Sequence, residues 1–365
     1  KGQIVTTKGG SSKIEQVLQI QAKSDEKSPV AIYIKDGGIK QTIKAYCNNA
    51  SGKMNIITET GKDNLRTNAV WVDPSTQGGE TLNLQSDVVN ITMIGGYGGN
   101  GIAITRSDGA SASNNGGTIN IGGHRVKGKV VAADLNIKGQ HDNEWGIEAN
   151  PVNGIARLNN AGILVDVDFS SVNVTGNANM DIYGNGVTVD GKGSSVVITK
   201  GGTITVPTGT DYAYYTLAAY RGTIDMNSSA GANVVQLNGD VFANKGGTIN
   251  LGLATNDSYL NGIIDNGGTV TLTLKNGATW SNVANNSRYA LDDEYIGSHE
   301  RSHITTLKGG TSFDNAGTII QTLNSDNLYI DQLQGTVKVN YDSYDSEDVT
   351  KINGGNVTID TATEN

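Results

Sequence analysis

A short phrase, Gly-Gly-Thr-Ile or a close variant, recurs along the chain and limits its fold more than any other feature. Its eight copies begin at Gly116, Gly201, Arg221, Gly246, Gly267, Ala316, Gln334 and Gly354. From residue 201 onward most copies follow one another at steps of 18 to 25 residues. A repeat of this length is typical of a solenoid, in which each repeat buries its apolar face only against its neighbours.

Between the copies of the phrase, apolar and polar residues alternate over three to six positions. Examples are residues 81–84, 134–137, 172–174, 187–190, 269–274 and 336–340. Such alternation predicts short strands with one buried face. The strands are bounded by corner sequences that accept a positive φ, since glycine adopts it freely and asparagine tolerates it. These corners include Asp36-Gly37-Gly38, Asp108-Gly109, Asp190-Gly191 and Asn276-Gly277.

Composition supports an all-β chain. The 365 residues include 49 glycines and 40 asparagines, which would destabilise a helical protein at each interior site. The hydrophobic fraction of 36% argues against disorder. We therefore predict one domain, residues 1–365, folded as a right-handed parallel β-helix. At roughly 20 residues per turn it would have about 18 rungs, around a thin core of Val, Ile, Leu and Ala.

Two segments lack the alternation and are predicted to be loops extruded from the solenoid, residues 140–160 and 281–303. Inserted loops of solenoids often carry the binding function. In residues 208–221 we expect a longer strand or a bulge with tyrosines on its outer face. Aromatic side chains of this kind serve as binding hot spots. The candidate binding residues are Trp145, Tyr212, Tyr214, Tyr215, Tyr220, Tyr289 and Tyr295.

Cysteine, histidine and charge limit the chemistry. The single cysteine, Cys47, excludes an internal disulfide framework and a cysteine-based zinc site. With four histidines, no metal centre and no cofactor are predicted. The net charge is −9, and a net acidic chain is a poor nucleic-acid binder. Residues 1–66 carry +5 and residues 67–365 carry −14. No apolar run approaches the ~18 residues of a membrane-spanning helix.

The sequence contains no convincing catalytic motif. No Gly-x-Ser-x-Gly occurs, so a serine nucleophile is not predicted. The alternative function is a polysaccharide lyase or glycoside hydrolase on a β-helix scaffold, which requires converging carboxylates. The candidates are Asp166 with Asp168, and residues 292–294. Alternation within 164–169 places Val165, Val167 and Phe169 inside and the two aspartates on a solvated face. Residues 122–125 match the polygalacturonase Gly-His-Gly phrase only superficially.

Two segments have some features of a calcium-binding site. Residues 95–102 faintly match a calcium-binding nonapeptide but carry Asn at the ligand position, and we interpret them as a turn. The acidic cluster of Asp342, Asp345, Glu347 and Asp348 is interpreted as a solvated corner. No metal is assigned to either segment.

The repeated Gly-Gly-Thr-Ile-Asn-Ile texture, the Asn-rich corners, the single cysteine and the short strands together resemble the passenger domain of a classical (type Va) autotransporter adhesin of Gram-negative bacteria. Residues 322–330 look like the late passenger rungs that precede a membrane barrel. The resemblance implies export across the outer membrane to the cell surface and attachment through a C-terminal barrel that this sequence lacks. Protease passengers carry a Gly-Asp-Ser-Gly motif, which is also absent.

The expected function is therefore that of a non-enzymatic adhesin rod that mediates adhesion, autoaggregation or biofilm formation and contributes to virulence. Its expected partners are a second copy of itself, other bacteria, and a host matrix protein or glycan. Rows of Asn, Thr and Ser repeating on the flat faces would suit self-association, because many weak contacts add up to avidity. A purely structural spacer is a third hypothesis.

Overall fold

A computed structural model describes residues 2–5, 16–35, 38–46, 51–96, 98–140, 160–208, 214–285, 301–322, 325, 327–341 and 350–361. These residues form strands, turns and bends, with no helix among them, and therefore no helix that could cross a membrane. The chain divides into two compact units, Lys1–Thr199 and Lys200–Asn365, which are described separately. The single domain expected from the sequence stays a prediction.

The described residues of the first unit form eighteen strands. In chain order they are β1 (Gly2–Val5), β2 (Gln16–Lys23), β3 (Val30–Lys35), β4 (Lys40–Lys44), β5 (Gly52–Glu59), β6 (Asn68–Asp73), β7 (Glu80–Gln85), β8 (Val88–Ile94), β9 (Asn100–Ile104), β10 (Gly117–Gly122), β11 (Arg125–Val126), β12 (Lys129–Val130), β13 (Asp134–Gln140), β14 (Ala161–Val165), β15 (Ser171–Val174), β16 (Ala178–Asp181), β17 (Asn185–Val189) and β18 (Ser195–Ile198).

From β2 onward, successive strands of this unit go to different sheets, apart from β11 and β12. The first sheet has the order β1-β2-β5-β8-β13-β16, the second β18-β15-β10-β7-β4, and the third β17-β14-β9-β6-β3. The strand pairings within these sheets are parallel, except that β1 is antiparallel to β2. β11 and β12 form a separate hairpin. A chain that visits three parallel sheets in turn has the strand order of a parallel β-helix.

Sixteen strands are formed by the part of the second unit that the structure describes. They are β19 (Gly202–Thr205), β20 (Tyr215–Ala219), β21 (Thr223–Met226), β22 (Val235–Asn238), β23 (Asp240–Ala243), β24 (Thr248–Leu253), β25 (Tyr259–Asn261), β26 (Ile264–Asn266), β27 (Thr269–Leu274), β28 (Thr279–Ser281), β29 (Arg301–Lys308), β30 (Gly317–Gln321), β31 (Asn327–Gln334), β32 (Thr336–Tyr341), β33 (Thr350–Ile352) and β34 (Asn356–Thr361).

The same three-sheet order repeats in this unit as far as β27, after which β28 to β34 alternate between the first and second sheets. The first sheet runs β19-β22-β25-β28-β30-β32-β34, the second β21-β24-β27-β29-β31-β33, and the third β20-β23-β26. The strand pairings within these sheets are parallel. The prediction of an all-β chain of stacked parallel strands is therefore confirmed in both units.

The core is formed by in-register rows of branched aliphatic residues. Strands of the first and second sheets alternate between buried and half-buried positions, as in β5 and β10. Ile56 pairs with Ile91 and Ile91 with Ile137, and all three are buried. As expected, the buried apolar residues are mainly Val, Ile, Leu and Ala.

Most predicted elements are confirmed. All six alternating segments lie in strands, except that Asp190 follows the end of β17. At the corner between β27 and β28, Asn276 and Gly277 both adopt left-handed φ values of 56° and 79°. β17 differs from the prediction, because all five of its residues are buried.

The repeat phrase marks the start of a strand but does not measure one turn. The copy at 201 begins β19 in the first sheet, whereas the next copy begins β21 in the second sheet. The length of a turn is given by paired residues. Thr248 pairs with Thr269, 21 residues later, but Asn55 and Asn90 are 35 residues apart and Asn90 and Asn136 are 46 apart. Turns of about 20 residues therefore do not extend through the first unit.

The two predicted loops fall largely outside the described residues. Residues 141–159 and 286–300 are not described. At the margins of the loops the prediction is wrong, because Gln140 belongs to β13, Ser281 to β28 and residues 301–303 to β29. The acidic cluster at 342–348 and the tyrosine of the 95–102 segment also lie outside the described residues.

Candidate functional site

The outer face of the first sheet in the first unit carries a row of asparagines. Asn90 donates from Nδ2 to Asn55 Oδ1 at 2.9 Å. Asn136 donates in the same way to Asn90, and Asn179 to Asn136, each also at 2.9 Å. The side chains are half-buried on β5, β8, β13 and β16. We call these four residues the first ladder.

A second row follows the outer face of the second sheet. Asn83 donates from Nδ2 to Thr42 Oγ1 at 3.2 Å. Asn120 donates to Asn83 Oδ1 at 3.0 Å, and Asn173 to Asn120 Oδ1 at 2.9 Å. Asn83, Asn120 and Asn173 form the second ladder, so two sheets of one unit present the same chemistry.

Each ladder residue is the middle of an apolar–Asn–apolar triplet, such as Leu82-Asn83-Leu84 or Leu135-Asn136-Ile137. The flanking residues are buried in all seven triplets. Because side chains alternate along a strand, burying both neighbours turns the asparagine outward. In-register parallel strands then place identical amides about 4.8 Å apart, the spacing at which Asn ladders form.

The ladders leave part of the amide available in their interior residues. A side-chain amide has two N–H donors and two acceptor lone pairs on oxygen. In the interior residues Asn90, Asn120 and Asn136, the ladder uses one N–H and one acceptor site. The rest can bond to groups above the face. Since an amide both donates and accepts, such a row is complementary to a second row of the same kind.

Rows in the second unit are chemically mixed. Asn250 donates to Asp225 Oδ1 at 2.7 Å. Asn238 donates to Thr205 Oγ1 at 3.4 Å and accepts from Asn261 at 3.2 Å. The outer face there combines carboxylate, hydroxyl and amide groups. Uniform asparagine ladders of three or more residues are a feature of the first unit within the described part of the chain.

Charged contacts occur beside the ladders but not within them. Lys23 Nζ lies 2.6 Å from Glu59 Oε1, and the hydrogen bond and charge of Glu59 raise the pKa of Lys23. The backbone N–H of Ala110, followed by the Arg106 side chain, lowers the pKa of Asp108. Both shifts favour the charged form. The ladder amides do not titrate, so a contact made through them alone would not depend on pH.

Three of the predicted aromatic binding residues are described by the structure, and none of the three lies on an outer face. Tyr214 and Tyr215 are each 5% exposed and Tyr220 is 8% exposed, so their expected outward position is wrong. The Tyr215 ring stacks on Phe242 with centroids 5.0 Å apart, and the Tyr220 ring lies 5.2 Å from it. Burial of large apolar rings outweighs the alternation expected there.

The bulge predicted for this segment is confirmed by a register shift between Tyr215 and Leu217. The other four candidate residues, Trp145, Tyr212, Tyr289 and Tyr295, lie outside the described residues. Binding by any of the seven aromatics stays a prediction.

The carboxylates considered for catalysis have structural contacts. β14 ends at Val165, so Asp166 and Asp168 lie in the following corner and not in a strand. Asp168 Oδ1 accepts the Lys192 N–H at 2.8 Å. Phe169, expected inside, is 52% exposed because its φ of 57° turns the chain there. Val165 and Val167 are buried as expected, whereas residues 292–294 lie outside the described part.

His124 also has a local partner. Its Nδ1 lies 2.7 Å from both carboxylate oxygens of Asp87, and its backbone N–H donates to Asp87 Oδ1 at 2.8 Å. The same carboxylate accepts the Gly52 N–H at 3.3 Å. Asp87 thus joins three chain segments at one corner. Within the described residues, no group of three His, Cys, Asp or Glu is placed to hold a metal ion.

The sequence predicts rows of polar residues on the flat faces. It does not identify the asparagines that form the two ladders. The apolar–Asn–apolar triplet is the signal that finds them, provided that the pairing register is known. Comparisons with family models, with curated protein sequences and with solved structures give no match.

Proposed function

We propose that this chain is a non-enzymatic cell-surface adhesin that associates with a second copy of itself through its polar faces, and so mediates autoaggregation and biofilm formation. The observation that carries the proposal is the pair of asparagine ladders on two outer faces of the first unit. Adhesion to other bacteria and to a host matrix protein or glycan belongs to the same proposal.

A second copy is the partner that the ladder chemistry favours. The rows carry no net charge, and each interior amide offers the donor and the acceptor that a facing amide needs. A single hydrogen bond of this type contributes about 0.5–1.5 kcal/mol. One face-to-face contact would therefore be weak, whereas many copies on one cell surface would bind with high avidity. This behaviour fits cell–cell aggregation.

The proposal includes the finer architecture and location. The winding is right-handed, in keeping with about 98% of parallel crossover connections. The estimate of about 18 rungs assumes 20 residues per turn, and the 35- and 46-residue spacings of the first ladder favour fewer. Export across the outer membrane to the cell surface rests on the resemblance to autotransporter passengers.

The test displays the chain on cells and measures sedimentation. Asn90→Lys with Asn120→Lys adds one positive charge to each ladder, and Asn90→Asp with Asn120→Asp adds one negative charge to each. We expect each variant population to stop aggregating with itself, because like charges would face each other. Mixing the two populations should restore aggregation at low salt.

Asn115→Lys is the matched control, since Asn115 is exposed in a corner of the same unit; it should aggregate like the parent. Thermal melts of purified variants identify any loss of folding. Self-aggregation of the well-folded Lys variant at the parental level would contradict the proposal. So would failure of the mixed populations to aggregate.

A further inference from the structure

A surface cavity in the second unit has a composition unlike the outer faces. Its volume is about 360 Å³, within the range of small-molecule sites. It lies beyond the ends of β27 and β29, and three chain corners form its walls. These corners contribute Ser228–Ala230, Lys275–Asn276, and the three residues Gly309, Thr311 and Asn315. Hydroxyl, amide and ammonium groups line it, and none of the described lining residues is a carboxylate.

Two lysines give the cavity a positive charge. Lys308 pairs in register with Thr273, and Lys275 follows two residues after Thr273, so one end of the second sheet brings both lysines to the cavity. Neither lysine has an ion-pair partner among the described residues. Residues 200–365 carry nine Lys or Arg against eighteen Asp or Glu. The cavity is thus a local cationic site in an acidic unit.

The walls are held in place by their own hydrogen bonds. The Asn276 N–H donates to the Asn315 carbonyl at 2.7 Å, which joins two of the corners. Asn276 Nδ2 donates to the Ala254 carbonyl at 3.0 Å, and Asn315 Nδ2 donates to Thr311 Oγ1 at 2.8 Å. These contacts fix the corners before any ligand arrives, and preorganisation lowers the entropic cost of binding.

The third corner is fixed from inside. Asn227 is fully buried, and its Nδ2 donates to the Gly252 carbonyl at 3.0 Å and to the Gly231 carbonyl at 3.1 Å. Ala230 adopts a left-handed φ of 51°, which is unfavourable for alanine. The corner therefore holds Ser228 and Ser229 at the cavity wall, where both are exposed.

We propose that this cavity binds the anionic group of a small acidic saccharide, either a uronate or a sulfated sugar. The ammonium groups of Lys275 and Lys308 would bind the carboxylate or sulfate oxygens as point charges. The hydroxyls of Ser228, Ser229 and Thr273 would bond to the sugar hydroxyls, which also donate and accept. This site lies outside the ladders and does not depend on self-association.

The test is calorimetric titration of the purified chain with galacturonic acid, glucose 6-sulfate, glucose and inorganic sulfate at low salt. We expect the two acidic sugars to bind, with affinity falling as salt screens the charges. Lys275→Gln with Lys308→Gln should weaken binding at least tenfold. Lys275→Arg with Lys308→Arg should stay within a few-fold of the parent, because the charge is kept.

The matched control is Lys245→Gln with Lys351→Gln, which removes the same charge from two exposed positions of the same unit and should change affinity less than twofold. Absence of binding by both acidic sugars would overturn the proposal, as would equal binding by the glutamine pair at the cavity. Equal binding of glucose would overturn the anion site, and equal binding of inorganic sulfate would overturn the saccharide. We expect the cavity variant to aggregate like the parent, because the cavity lies outside the ladders. The titration therefore tests saccharide binding separately from self-association.

Discussion

The third sheet of the first unit differs from the other two in how its strands are buried. In β5, β7 and β10 every second residue is buried and the residues between are half-buried. In β9, β14 and β17 every residue is buried. Because consecutive side chains point to opposite faces of a sheet, both faces of these three strands are removed from solvent.

The difference develops along one row of the third sheet. Tyr33, Trp71, Ala103, Leu164 and Thr188 follow each other in register. Tyr33 is 44% exposed, whereas Leu164 is 2% exposed and Thr188 is fully buried. Two sheets therefore present polar rows on their outer faces, whereas β14 and β17 of the third sheet are buried on both faces.

The largest expected change in stability concerns a residue in the third sheet of the second unit. Phe242 is buried between the rings of Tyr215 and Tyr220. Phe242→Ala should lower the free energy of unfolding by about 3–5 kcal/mol, since it removes a ring and leaves a cavity. Urea denaturation of the purified chain measures the change.

Phe313→Ala is the matched control, because the Phe313 ring is 52% exposed and lies under the Lys338 ammonium at 4.0 Å. Its loss should cost less than about 1 kcal/mol, the usual range of an exposed cation–π contact. Equal effects of the two substitutions would contradict the assignment of the tyrosine–phenylalanine cluster to the core.

Leu164 lies on a strand that is buried on both faces, and Ile57 lies on a strand that is buried on one face. Truncating each residue compares the two kinds of strand. Leu164→Ala in β14 should lower the free energy of unfolding by about 2–5 kcal/mol, as for other buried leucines. Ile57 occupies an outward, half-buried position of β5, and Ile57→Ala should cost less than half as much. The same denaturation experiment decides the point, and a Leu164→Ala cost below that of Ile57→Ala would show that the third sheet is not doubly buried.

The sequence predicted strands of the alternating sheets, but in the third sheet it predicted residues 187–190 as a half-buried strand, whereas all of β17 is buried. Strands such as residues 81–84 and 336–340 were found because half-burial leaves a period of two in the sequence. β14 reads Ala-Gly-Ile-Leu-Val and β20 reads Tyr-Thr-Leu-Ala-Ala, and neither has such a period. Doubly buried strands are continuous apolar runs. The alternation of buried and exposed positions, which predicts the tyrosines in and beside β20 on the outer face, therefore does not apply there.

The candidate site was predictable in composition but not in position. Each apolar–Asn–apolar triplet is visible in the sequence, yet ladder neighbours lie 35, 46 and 43 residues apart. Unequal spacings conceal the register, because turns of different length still bring the next strand to the same place. The lysines of the cavity, Lys275 and Lys308, meet for the same reason across a long connection between β27 and β29.

The smallest expected change in stability concerns the ladders. It shows whether the hydrogen bonds of a row act cooperatively or as independent pairs. Asn136 bonds to ladder neighbours on both sides, whereas Asn55 lies at an end and bonds to one. Asn136→Ala removes two half-buried hydrogen bonds, so we expect a loss of about 0.5–1.5 kcal/mol. Asn55→Ala removes one bond and should cost about half of that.

Thermal and urea unfolding of both variants and of the double variant measure these losses. A double variant whose loss differs from the sum of the two single losses would show coupling through Asn90, the residue that the two share. Absence of a measurable loss at both Asn55 and Asn136 would mean that the ladder bonds contribute nothing to folding. The amides would then be kept on the outer face for contacts outside the chain, which is the role that the aggregation experiment tests directly.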